Sequence, residues 1–155
     1  MTLWPIEEVV PHAGEMILLD SIEAFEAECI TCVRTIQPGG MFTDADGSLP
    51  SWVGVELMAQ AIAAWAGCHA RAEQRPVRLG FLLGTRHYAC NVDAFPAGVR
   101  LRIGAERAFH DEQGMGVFHC CIEGPGIHAE ARLNVYSPSD ADAFFKQITE
   151  EIPHG

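Results

Sequence analysis

Residues 49–67, LPSWVGVELMAQAIAAWAG, are apolar at almost every position, interrupted only by Glu56 and, one turn later, Gln60. The run predicts one helix, with Pro50 at its boundary, Ser51 placed to cap it and Gly67 near its far end. A helix apolar nearly all round has to be enclosed by the rest of the chain. The flanking segments predict what encloses it. MILLDSIEAFEAECITCVRTI (16–36) mixes alternation with β-branched residues and reads as one or two strands meeting at a bend. Residues 77–92, 99–110, 114–124 and 126–137 read as four further strands, joined in hairpin-like succession by turns such as DEQG and GPG. WPIEEVVP suits a short helical turn, residues 37–50 a loop, and SDADAFFKQITEE (139–151) a C-terminal helix presenting Phe144, Phe145 and Ile148. The expectation is an α+β fold in one domain over 1–155, an antiparallel sheet wrapped around one long central helix.

Charge narrows the partners. The formal net charge is −11, which argues against nucleic acid, because phosphate binding needs a basic surface. Seven arginines (71, 75, 78, 86, 100, 102 and 107) against three carboxylates make residues 71–107 +4 and the remainder −15. That stretch is either a docking surface for an anionic partner or a set of ordinary solvated strand faces. The N-terminus carries no secretory pattern, and no apolar run has the length of a membrane span, so a cytoplasmic location is expected. Six cysteines then act as small core hydrophobes. Cys29 and Cys32 have the spacing of a zinc or redox pair, but they lie in a strand-like run with no second pair, so no metal is expected. Nothing in the sequence calls for a cofactor.

Three stretches carry a family likeness. VVPHAGEMILLDSI resembles the opening motif PHRxPxLLVDRV of the (3R)-hydroxyacyl-acyl carrier protein dehydratases of fatty acid synthesis. LPSWVGVELMAQAIAAWAG is similar to their helix motif MPGVLxxEAxAQ, and GFLLGTRHYACNVDAFPAGVRLRI to their later strand pair with its Pro-x-Gly turn. The likeness runs from about residue 9 to 137. Within the family the chain looks most like the small dehydratase-like subunits of aryl polyene biosynthesis clusters. The resemblance implies the hotdog fold, a dimer, and action on 3-hydroxyacyl thioesters carried on the 4'-phosphopantetheine of acyl carrier protein.

The same resemblance implies the site. Glu56 matches the family's catalytic Glu, Gln60 its Gln, and Ser51 the helix-start peptide N–H that polarises the thioester carbonyl. Substrate contacts fall at Ser51, Gln60, Phe42 and Trp52. The family's His, from the opposite subunit, lies fourteen residues before the Glu, where this chain has Phe42; between His12 and His69 there is no histidine. Half of an acid–base pair is therefore missing, and a heterodimer with a His-bearing homologue would restore it, although a homodimer stays open. Read from the residues alone, Glu56 is a carboxylate in apolar company, where burial favours the protonated form and suits a general acid. His12 is read as structural. Asp44 and Asp46 occupy the loop where the His would be, but carboxylates among glycines usually serve turns. His119 beside Cys120 and Cys121 makes a remote nucleophilic pair. Two other readings stay open: a thioesterase that uses Glu56 alone, and a non-catalytic structural subunit or acyl-chain binder.

Overall fold

The computed structural model describes residues 3–77 and 80–137; the C-terminal helix expected at 139–151 lies outside them. Strands β1 (Ser21–Phe25) and β2 (Cys29–Thr35) form the first hairpin, the expected bend falling at Glu26–Glu28. After the loop come a two-residue strand β3 (Leu49–Pro50) and helix α1 (Gly54–Ala72). Then follow β4 (Phe81–Cys90), the short β5 (Ala94–Phe95), β6 (Arg100–His110), β7 (Met115–Gly124) and β8 (Ile127–Tyr136). The main sheet is antiparallel throughout, in the order β1-β2-β6-β7-β8-β4, and β3 pairs with β5 apart from it.

Alternation along the strands explains how the sheet meets the helix. In β8, Ile127, Ala129, Ala131 and Leu133 point inward and His128, Glu130 and Arg132 outward. On β6, Leu101, Ile103 and Ala105 face in likewise. These inner rows close on Leu57, Met58, Ala61, Ala64 and Cys68 of α1, all without solvent exposure. Register shifts between Ile22 and Ala24, Leu82 and Gly84, Arg86 and Ala89, and Arg107 and Phe109 bend the strands. Bulges of this kind increase twist, which lets a flat-paired ladder curl around a cylinder.

Two sequence expectations need correcting. Ser51 does not cap α1: a turn of tighter helix over Ser51–Val53 precedes it, with no side-chain cap at either start. Gly67 does not end the helix, which runs on to Ala72. Gly67 serves instead as a point of close approach. A Cβ there would stand 1.8 Å from the carbonyl oxygen of Val9, so only glycine lets the N-terminal segment lie against the helix. Gly67→Ala is expected to destabilise the protein by about 3 kcal/mol, because the clash is with backbone and outweighs the ~1 kcal/mol by which alanine is the better helix former. A melting temperature equal to that of the native chain would refute this packing. Cys29 and Cys32 both lie on β2. Three residues apart on β2, they point to opposite faces, and burial pushes the Cys32 thiol up to about 12.

The arginine-rich stretch is largely committed inside the chain. Arg107 holds Glu28 through two bonds of 2.8 and 2.9 Å, and Arg102 reaches Glu23 at 2.7 Å. Arg71 donates to the Glu8 carbonyl and Arg75 pairs with Glu73. The solvated-face reading fits these better than a docking patch.

Candidate active site

One face of α1 is built from small residues. Glu56, Ala59, Ala63 and Ala66 follow one another at helical spacing, and Ile62 and Trp65 flank them. Helix and sheet stand apart there, leaving a cavity of about 360 Å³. Its other wall comes from the sheet corner where β6 ends, β7 begins and β8 ends, including Met115, Gly116, Phe118 and Val135. Glu56 and Ala66 are ten residues apart, so the cavity follows roughly 15 Å of helix. Its volume lies in the ordinary range for small-molecule sites. Farther along the helix, Trp65 packs edge-on against Phe118 and lies under the Arg107 guanidinium, 5.0 Å from the ring centroid.

Glu56 lies at the other end, its side chain 42% exposed, so it is not the enclosed carboxylate that the sequence suggested. Gln60 sets its orientation. The Gln60 side chain is only 1% exposed, and all of its polar capacity is directed. Its Oε1 accepts from the Leu18 N–H at 2.8 Å, and its Nε2 donates to the Met16 carbonyl at 2.7 Å and to Glu56 Oε1 at 3.2 Å. The amide thus fastens the N-terminal segment to the helix and aims the carboxylate with the same two atoms. Fastening that segment brings His12 to the cavity wall, with Nε2 3.7 Å from Glu56 Oε1. The Nδ1 of this ring is buried and has no hydrogen-bond partner among the described residues, and the same holds for Trp65 Nε1.

The remaining predicted positions gather elsewhere. Ser51 does not line the cavity, and its N–H, expected to face a thioester, is already bonded to the Asp93 carbonyl at 3.0 Å. Its own carbonyl accepts from the Tyr88 hydroxyl, which passes over Gly54, a residue whose lack of a side chain makes that room. Phe42 and Trp52 form an edge-on aromatic pair, 6.0 Å between centroids, and are 42% and 64% exposed. Neither lines the cavity of their own chain. Phe42 also holds a positive φ of 68°, uncommon for a side chain of this size. Asp46 is engaged in turn chemistry, as expected: its Oδ1 accepts from the Ser48 N–H and hydroxyl, which hold its carboxyl below the usual range. His119 faces outward between Glu106 and Arg132, while Cys120 faces the core with its thiol pushed up to about 12, so the two do not meet.

A curved antiparallel sheet wrapped around one long helix, with a carboxylate near the helix start at a cavity mouth, defines the hotdog fold. The chain belongs to the ApeP-like family, described as ApeP dehydratase, whose match covers residues 4–146. It is similar to the dehydratase heterocomplex ApeI:P from Xenorhabdus doucetiae, at 32% identity and a TM-score of 0.86, over 95% of this chain and 99% of that one. More distant likenesses show the fold alone. One is to the PaaI protein of the Escherichia coli phenylacetic acid degradation operon, at 14% identity and TM-score 0.55, over 74% of this chain and 80% of that one. Another is to a hypothetical thioesterase with coenzyme A from Streptococcus pneumoniae TIGR4, at 13% and 0.54, over 76% and 86%. No functionally curated protein matches the chain. Among the described residues, no helix is long and apolar enough to cross a membrane.

Proposed function

We propose that this chain is a dehydratase subunit that acts on 3-hydroxyacyl groups held as thioesters on the phosphopantetheine of an acyl carrier protein, within an assembly of two subunits. One observation carries the reading: a carboxylate aimed by a buried amide stands at the solvent end of a long apolar cavity. Loss of water from a 3-hydroxyacyl thioester needs one group to take the α-proton and another to protonate the departing hydroxyl. Glu56 is the proton donor, and the cavity behind it receives the acyl chain. The helix face supplies no competing polar group between Glu56 and Trp65 on that wall.

A partner subunit completes the open flank. Strand β4 is an edge of the sheet, and its Leu82 and Leu83 are exposed, as are Phe42 and Trp52 in front of the helix. Unpaired edges and exposed apolar side chains are where a second chain adds. The similar Xenorhabdus protein was solved as a heterocomplex, which supports a homologous partner here. The test supplies a 3-hydroxyacyl-acyl carrier protein to the full chain, alone and with its homologous partner, with light scattering to follow assembly. Enoyl thioester should form without release of thiol, fastest in the two-subunit complex. Free thiol without enoyl product would replace this reading with hydrolysis. Binding without either reaction would make the chain an acyl-chain binder.

A further inference from the structure

We propose that His12 is the imidazole that works opposite Glu56, within the same chain, in place of one from the loop at 37–50; the proposal rests on the dehydratase reading above. The two groups lie on different elements and are brought together by Gln60. His12 Nε2 stands 3.7 Å from Glu56 Oε1. That is outside hydrogen-bond range, so the pair is not locked together, yet it is close enough for one bound substrate to reach both. Both residues line the same cavity. The ring is 27% exposed, so it is reachable at that cavity mouth.

The second observation is the state of the ring. Nδ1 is sealed and finds neither donor nor acceptor among the described residues, a condition that a histidine held for structure alone seldom leaves unmet. All proton traffic is therefore confined to Nε2, the nitrogen turned to Glu56. Of the other described imidazoles, His110 also lines the cavity, but from the exposed end of β6 in the sheet wall rather than beside Glu56, and the rest are engaged or placed elsewhere. His69 bonds the Ala27 carbonyl at 2.9 Å and packs on Trp65, and His128 sits between Glu123 and Glu130. His119 faces the outer side of the sheet, and His87 lies in the β4 bulge.

The step balances within the pair. The α C–H bond breaks and its proton passes to Nε2 of the neutral ring. The freed electron pair becomes the Cα–Cβ double bond as the Cβ–O bond breaks, and the leaving oxygen takes the proton of Glu56 and departs as water. Imidazolium and carboxylate remain, and return of the Nε2 proton to Glu56 across the short gap restores the starting state with no external acid or base.

A 3-alkynoyl thioester tests this directly in the native assembly. Removal of its α-proton and reprotonation at the γ-carbon give a conjugated allene, which alkylates the nitrogen that did the removing. Peptide mass spectrometry should find the adduct on His12. In parallel, His12→Gln should lower kcat for dehydration on the order of a hundredfold, with KM and melting temperature near native values, and should raise the primary isotope effect of an α-deuterated substrate. A structural role alone would leave that isotope effect unmoved. An adduct on His110 or on a histidine of the partner subunit, or a His12→Gln turnover within about tenfold of native, overturns the proposal while the dehydratase reading stands. An adduct on His12 without any dehydration of the 3-hydroxyacyl substrate supports the imidazole and overturns the dehydratase reading instead. Neither adduct nor dehydration overturns both.

Discussion

Glu56→Gln should leave the fold intact and remove on the order of a hundredfold or more of the turnover. The two expectations rest on different atoms. A glutamine at 56 keeps an oxygen where Gln60 Nε2 now donates at 3.2 Å, and it fills the same volume, so helix and N-terminal segment stay joined. What it lacks is a proton to give to the leaving hydroxyl. Because Glu56 is part-exposed, the substitution exchanges one solvated polar group for another and costs little stability. The measurement is kcat for enoyl formation by the assembled protein, alongside its melting temperature. Activity within about tenfold of native would show that Glu56 donates no proton in the reaction, since a general acid contributes far more than that.

The fold was legible because each element's pattern agreed with its neighbours. Period-two alternation in 99–110 and 126–137, against an all-apolar helix, leaves few arrangements other than a sheet around a rod, and β6, β8 and α1 occupy those stretches. Local signals failed where a distant segment decides. Gly67 looks like a helix end in sequence, and nothing nearby says that Val9 will lie on it. The chemistry was legible to the same depth. Glu56 and Gln60 stand out as polar residues on an apolar helix, and the structure shows one orienting the other. Their neighbour His12 carries no such mark. It is separated from Glu56 by a hairpin and a loop, and only the tertiary bonds from Gln60 to Met16 and Leu18 bring it across. Expecting Ser51 to present its N–H failed similarly: the β3–β5 pairing that places Asp93 beside it consists of two residues on each side, too short for any periodicity to show.

Gln60→Leu should be damaging in stability and in turnover together. Leucine fits the size of the site, so no large cavity opens, and the loss is electrostatic. The Leu18 N–H loses the oxygen that accepts it at 2.8 Å, and the Met16 carbonyl loses its donor at 2.7 Å. Each stranded backbone group costs about 1–3 kcal/mol, so a loss of roughly 2–6 kcal/mol is expected, a fall in melting temperature on the order of ten degrees for a chain of this size. The segment so released is the one that carries His12, and Glu56 loses its aiming donor at the same time. Turnover should therefore fall by tenfold or more even at temperatures where the variant is fully folded, as such misplacements at catalytic groups do. Gln60→Glu disturbs the same bonds in a different way. It keeps an acceptor for Leu18 but has no amide to donate to Met16 or Glu56, and its carboxylate repels that of Glu56. Its activity should fall as far as that of the leucine variant. If the leucine variant melts within two degrees or so of native and turns over normally, Gln60 neither fastens the segment nor aims the carboxylate, and the site must be organised by the partner subunit.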